Sequence, residues 1–226
     1  MQRILDFFLS ILGLIFISPI LVPIIIILKF SGEGEIFYLQ PRIGLNGNLF
    51  NIIKLATMLK NSENMGAGTL TLKNDPRVLP IGKFLRKSKI NELPQLFNIL
   101  FGDMSIVGPR PLVPEGESFY TESQSKLLRS VRPGVTGIGS LVLRDEESYY
   151  AHRLESHEFY KNVISPYKAL VEMWYVENKS IYVDLKIIML TALSIALPNL
   201  KVSSYFKSLP AMPQELYDSR EGWYEN

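Results

Sequence analysis

From Phe7 to Leu28 the chain carries no charged residue, and the basic residues Arg3 and Lys29 close the two ends. That run of 22 residues reaches the roughly 20 needed to cross the hydrocarbon core of a bilayer. It is longer than the apolar region of a secretory signal, and no small-x-small cleavage site follows it. A buried core helix is a poor alternative for so many consecutive uncharged residues. Ser18-Pro19 interrupts the run near its middle, with Pro23 four residues on. Proline removes a backbone donor and collides with the preceding turn, so an interior proline kinks or breaks a helix. Two outcomes follow. The helix spans the bilayer with a kink, or it turns at Ser18-Pro19 and leaves by the face it entered. Basic residues at both ends do not separate the two by the positive-inside rule.

The 226 residues suffice for one domain with a core and an appendage. A formal net charge of +2 gives no global field for nucleic acid, which is not expected as a partner. The absence of cysteine excludes disulfides and thiolate metal sites. Residues 36–43 and 49–53 read as short strands, and Asn46-Gly47 between them is a hairpin turn. A polar loop (61–68) and a turn at Asn74-Asp75-Pro76-Arg77 follow. A helix is expected over Ile81–Lys87. A second runs from about Glu92 to Gly102, with Asn91 as N-cap and Pro94 in the first turn. Its residues Leu93, Leu96, Phe97 and Leu100 make one apolar face. Residues 149–180 read as helix with a break at Ser165-Pro166. His152 and His157 lack the i, i+4 spacing of a helical zinc pair. Residues 184–197 are too short to span and read as a core helix or one lying in the membrane interface. The three prolines of residues 198–226 suggest a loosely structured tail.

Charge gathers in residues 73–111. Arg77, Lys83, Arg86, Lys87 and Lys89 precede Glu92, and Arg110 lies between two prolines. A carboxylate among so many cations suggests a site for an anionic ligand. A helix start at Asn91-Glu92 favours bound anions, although Glu92 taken alone reads as a carboxylate serving the helix dipole. An arginine held in the rigid turn Val107-Gly108-Pro109-Arg110-Pro111 suits bidentate contact with phosphate or carboxylate. Arg132-Pro133-Gly134-Val135-Thr136-Gly137-Ile138-Gly139 repeats the device, with glycine spacing that fits neither the Walker pattern nor the dinucleotide fingerprint. Arg144-Asp145-Glu146-Glu147 is a site corner or a solvated charge run, and Lys54 reads from position alone as an ordinary solvated lysine.

These pieces stand in a telling order: the Ser18-Pro19 segment, Gln40-Pro41-Arg42-Ile43-Gly44, Lys54-Leu55-Ala56-Thr57-Met58, Asp75-Pro76-Arg77 and Gly82-Lys83-Phe84-Leu85-Arg86-Lys87. Glu92-Leu93-Pro94-Gln95-Leu96, Gly102-Asp103-Met104-Ser105-Ile106-Val107-Gly108-Pro109-Arg110-Pro111 and Arg132-Pro133-Gly134-Val135-Thr136-Gly137 come next, then Trp174-Tyr175-Val176-Glu177-Asn178 and Asp184-Leu185-Lys186. Up to about Leu197 the chain resembles the bacterial sugar transferases, the monotopic phosphoglycosyl transferases. The resemblance implies an α+β, mostly helical monotopic membrane protein with interfacial amphipathic helices and a small β-hairpin. Its N-terminal helix (1–30) would be re-entrant and broken at Ser18-Pro19, followed by a catalytic domain (31–197) and a tail (198–226). The implied activity is transfer of a sugar 1-phosphate from a nucleotide sugar to undecaprenyl phosphate with Mg2+, on the cytoplasmic face of a bacterial inner membrane. Membrane lipid is a further partner, and a homodimer is one option for assembly. Carried over residue by residue, Glu92 and Asn91 take the catalytic and metal positions. Lys54, Arg77, Arg86, Arg110, Arg132 and Arg144 contact phosphate or nucleotide, and Glu172 and Asp184 support the metal or the fold.

Two positions depart from the family pattern. Asn91 stands where the family has its nucleophilic Asp, and Ala56 where it usually has Arg. The covalent step of the family cannot run through an amide. Either Glu92 takes the nucleophile's role, or the lipid phosphate attacks directly while Glu92 binds magnesium, or the protein is an inactive homologue that binds its ligands in a regulatory role.

Overall fold

The computed structural model of the chain describes residues 2–65, 75–144, 146–149, 156–197, 200 and 202–221. Residues 66–68 of the polar loop, Asn74, Asp145 and His152 lie outside them. The packing forms two compact units, Met1–Pro41 with Phe50–Met104, and Arg42–Leu49 with Ser105–Asn226.

In the first unit, α1 (Gln2–Lys29) passes through Pro19 and Pro23 as one helix. The break expected at Ser18-Pro19 is absent from it. Pro19 cannot donate to the carbonyl of Ile15, and the Ser18 hydroxyl donates to that oxygen instead, at 2.8 Å. The carbonyl orphaned by the proline thus keeps a partner, as an apolar setting demands. At 1.5 Å per residue the helix is about 42 Å long. Its inward seam is polar at one end, where Asp6 and Ser10 are buried, and apolar at the other, with Leu21, Ile24 and Leu28. Outward it is apolar, and Phe16 is 76 % exposed.

Strands β1 (Phe37–Ile43) and β2 (Leu49–Leu55) form the expected hairpin. Asn46 and Gly47 take positive φ of 57° and 82° at the centre of the turn that the Asn48 N–H closes on Leu45 O, the backbone that Asn-Gly favours. Helix α2 (Pro80–Lys87) packs so tightly against the chain after β2 that a Cβ on Gly82 would lie 2.2 Å from the Thr57 carbonyl oxygen. Helix α3 (Gln95–Phe101) ends at Gly102, whose φ is 99°. Its expected apolar face is not the buried one. Gln95, Asn98 and Ile99 are buried, while Leu93, Leu96, Phe97 and Leu100 are half-buried. The cause is a pair of hydrogen bonds to β2, because the Asn98 amide accepts from Ile53 N–H at 2.9 Å and donates to Asn51 O at 2.8 Å. The apolar side faces α1, where Gly13 meets the Leu96 side chain.

The second unit begins with β3 (Ser105–Val107), α4 (Pro114–Glu117), α5 (Glu122–Leu128), β4 (Gly134–Thr136) and α6 (Ile138–Val142). A capping box between Thr121 and Gln124 starts α5. Strands β3 and β4 pair in parallel, Ser105 with Gly134 and Val107 with Thr136. Helix α7 (Ser156–Phe159) continues through a π-turn (Tyr160–Ile164) into α8 (Ser165–Asn178). The expected break at Ser165-Pro166 is therefore a widened turn, with Pro166 in the first turn of α8 where its missing donor is tolerated. Helix α9 (Ile181–Ala196) is capped by Ser180, whose side chain accepts from Val183 N–H at 3.3 Å. Its Ile187 and Leu190 enter the core with Ile138, Tyr167, Val171 and Tyr175.

Of the stretch expected as a loosely structured tail, residues 202–221 are described, and several of them pack. Val202, Phe206 and Leu216, the last in α10 (Gln214–Glu221), are buried in that same core. Phe206 meets Trp174 edge to face at 5.5 Å, and the Trp174 indole donates to Ser208 Oγ at 3.3 Å. Phe206 is thus a packing residue, while Tyr205 and Tyr217 are exposed.

Candidate functional site

In the first unit, Ile90–Glu92 forms a single 3-10 turn entered through Lys89 at φ 60°. Asn91 is not the cap of a helix. It sits inside this turn, buried, and its enclosed Oδ1 has no hydrogen-bond partner among the described residues. The N–H groups of Glu92 and Leu93 bond back to Lys89 O and Ile90 O, both at 3.1 Å. They are therefore not offered to an anion, and the anion site expected at a helix start does not form here. What the turn does present is an orphaned amide oxygen beside the half-buried carboxylate of Glu92. Buried acceptors without a donor are costly, roughly 1–3 kcal/mol each. A hard cation with oxygen ligands, the magnesium class, would satisfy the Asn91 oxygen and take carboxylate oxygen from its neighbour Glu92. The donor type fits, with phosphate oxygens and water left to complete the coordination. Among the described residues there is no group of three or more His, Cys, Asp or Glu to hold a metal elsewhere.

The cations of this unit divide. Lys54 lies half-buried in β2 and Arg86 half-buried in α2, while Lys83, Lys87 and Lys89 are exposed. Arg77 takes a bracing role rather than a ligand-facing one. Its Nε and Nη2 donate to the two oxygens of Asp75 at 2.9 and 2.6 Å, and Nη1 donates to Ser62 O and Met65 O at 2.6 and 2.7 Å. The pair is buried, and cutting one partner from such a pair strands a buried charge. Ala56 is buried too, at the position where the family pattern has a cation.

In the second unit the two proline-glycine turns, Val107–Pro111 and Arg132–Gly139, lie side by side. Gly108 N–H donates to Thr136 O at 3.0 Å and Gly134 N–H to Pro109 O at 2.9 Å. A Cβ on Gly134 would fall 2.1 Å from Gly108 N, and one on Gly108 2.4 Å from Arg132 O. The close approach needs glycine on both sides and joins the turns that carry Arg110 and Arg132. Arg144 is exposed in the turn after α6 and outside this junction of backbones. Asp184 receives the Tyr175 hydroxyl at 2.7 Å, which ties it into the fold.

Behind the turns runs a buried polar stripe of α8 made of Ser165, Lys168 and Glu172. Lys168 Nζ pairs with both Glu146 oxygens at 2.9 Å. Glu172 accepts from Arg110 N–H at 3.2 Å. In the sequence this stripe is visible only as polar residues at helical spacing, which more often mark a solvated face.

The family model of the bacterial sugar transferases matches residues 1–197. Exopolysaccharide production protein ExoY of Sinorhizobium fredii is 35 % identical over 210 residues, 87 % of this chain and 85 % of that protein. The UDP-glucose:undecaprenyl-phosphate glucose-1-phosphate transferase of Klebsiella pneumoniae is 37 % identical over 194 residues, 84 % of this chain and 39 % of that protein. The undecaprenyl-phosphate galactose phosphotransferase of Salmonella typhimurium is 32 % identical over 206 residues, 85 % of this chain and 40 % of that protein. The chain thus spans most of ExoY but well under half of the two transferases with named substrates.

Proposed function

The chain belongs to the bacterial sugar transferase family, and from that premise we propose that it moves a sugar 1-phosphate from a UDP-sugar to undecaprenyl phosphate at a membrane surface. The names of its relatives support the lipid acceptor and a nucleotide sugar donor. The structural observation that carries the reading is the pair of oxygens on Asn91 and Glu92, one of them buried and unsatisfied.

An amide oxygen is a poor nucleophile, so Asn91 does not attack. A phosphate oxygen of the lipid attacks the β-phosphorus of the donor and forms the new P–O bond. The bond from that phosphorus to the α,β-bridging oxygen breaks, and its electron pair leaves on the nucleoside monophosphate. Magnesium bound by Glu92 and Asn91 would supply neutralisation of charge building on the phosphates. Lys54, Arg86, Arg110 and Arg132 are the candidate phosphate contacts that membership of the family implies, residue by residue. An inactive homologue is the second reading, and Asn91 is the observation that favours it.

The test is release of nucleoside monophosphate by lipid-reconstituted protein given UDP-glucose or UDP-galactose, undecaprenyl phosphate and magnesium. Wild type is expected to turn over, with Asn91→Asp run beside it. A wild type inert on a panel of UDP-sugars but activated by Asn91→Asp would establish the second reading.

The membrane part of the proposal is monotopic, on the cytoplasmic face of the inner membrane. It is supported by where the two ends of α1 pack. Arg3 donates to the carbonyls of Ile99 and, at 2.7 Å, Leu100 at the end of α3. At the other end Leu21, Ile24 and Leu28 pack with Leu55 and Leu85. Both ends thus rest on the same compact unit, whereas a spanning helix carries its ends to opposite sides of about 30 Å of hydrocarbon. The exposed stripe Ile181, Leu185, Met189 and Leu193 suits α9 to the interface. A single cysteine introduced as Gln2→Cys is expected to resist a membrane-impermeant reagent added from the periplasm. Labelling from that side would refute the topology.

A further inference from the structure

Glu172 stands inside α8 with 2 % of its surface exposed. Its Oε1 accepts the Arg110 N–H at 3.2 Å, and the backbone of Gly139 lies against the same carboxylate, its N–H favouring the charged form. A Cβ on Gly139 would lie 2.4 Å from Oε1, so only glycine lets that turn close on the group. Oε2 is enclosed and has no hydrogen-bond partner among the described residues. One side chain therefore reaches both arginine-bearing turns from within the core. We propose that Glu172 is a positioning residue of the anion site, clasping Val107–Pro111 to Arg132–Gly139 so that Arg110 and Arg132 hold a fixed spacing toward the donor's two phosphates. The inference rests on the reading of those arginines as phosphate contacts and adds to it a residue that does not touch the ligand.

The clasp also titrates. Burial pushes the Glu172 carboxyl up to about 7, against the opposing pull of the Arg110 N–H, the Lys168 and Arg110 charges and the Gly139 N–H. The groups that face it are Arg110 from the first turn, Lys168 on its own helix with Glu146 beyond it, and Tyr120, whose hydroxyl burial raises well above its usual value. Ionised, Glu172 sets a negative charge near Arg110 that opposes an anion bound there, and neutral it does not. Anion affinity is therefore highest below about pH 7 and falls as pH rises through that value.

The experiment is calorimetric binding of UDP-glucose and UDP-galactose to the full-length protein from pH 6 to pH 8, alongside melting curves. Both phosphates of these probes are fully ionised diesters over that range, so the ligand itself does not titrate. Glu172→Ala is expected to weaken binding on the order of tenfold or more. Glu172→Gln keeps an oxygen acceptor for the two N–H groups. It is expected to bind at pH 6 nearly as wild type does and to lose the weakening toward pH 8. Glu172→Gln is also the arm that remains decisive if Glu172→Ala fails to fold. Affinity unchanged in Glu172→Ala while its melting temperature drops would overturn the proposal by making Glu172 core filler. So would a wild-type pH slope preserved in Glu172→Gln, or no binding of either probe to wild type. Wild-type binding without turnover would count against transfer and leave the clasp measurable.

Discussion

Glu92→Gln is expected to reduce nucleoside monophosphate release on the order of a thousandfold, the scale of losing a principal electrostatic stabiliser of transferring phosphate. The effect is one of charge. Asn91 is already neutral, so Glu92 is the one formal negative charge of the oxygen pair at this turn. Removing it leaves two amides, which bind a strongly hydrated dication poorly. Glu92 is half-buried and at a chain turn, so the melting temperature should change little and the loss should appear in turnover. Raising magnesium should rescue Glu92→Asp better than Glu92→Gln. Wild-type turnover in Glu92→Gln would remove Glu92 from the site altogether.

Gly134→Val is expected to be the most damaging single change to the fold. The added Cβ would stand 2.1 Å from Gly108 N and 2.5 Å from Thr136 O. Both are backbone atoms, one in the turn that follows β3 and one in β4, and neither has a rotamer to move into. The loss is on the order of 4 kcal/mol or more, the range reserved for overpacking against immovable neighbours. That consumes much of the stability of an ordinary domain, so little folded protein should accumulate. Gly116→Ala is the control. Its new methyl meets only Val113 Cγ2 at 3.4 Å, and denaturant unfolding should move by no more than about 0.5 kcal/mol. Equal behaviour of the two variants would show that the turns are not held by close approach.

What is legible in the sequence is local. The Asn46-Gly47 turn, the start of α2 at Pro80 and the stop at Gly102 all follow from backbone rules that act within a few residues. The order of the motifs then identifies the transferase. The departures share a different cause, which is competition from other partners. Asn91 is a good N-cap in isolation, but the turn closes on Lys89 and Ile90 and buries it. Arg77 reads as one cation of a cluster, although Asp75, two residues away, already claims it. The buried side of α3 differs from its apolar side because Asn98 has to satisfy the edge of β2, about 50 residues upstream. Ser18 repairs the carbonyl that Pro19 orphans, a compensation that a proline rule applied to one residue does not contain. The position of Glu172 is in plain view, but nothing local tells a clasp from a solvated carboxylate.

The seam of α1 has a consequence for how such a protein can change. Leu21, Ile24 and Leu28 share one cluster with Leu55 and Leu85, so the long apolar helix is also a wall of the first unit. Trimming residues 2–29 would open that wall and expose Leu55 and Leu85, so the helix cannot be removed as a mere appendage while the first unit keeps its core.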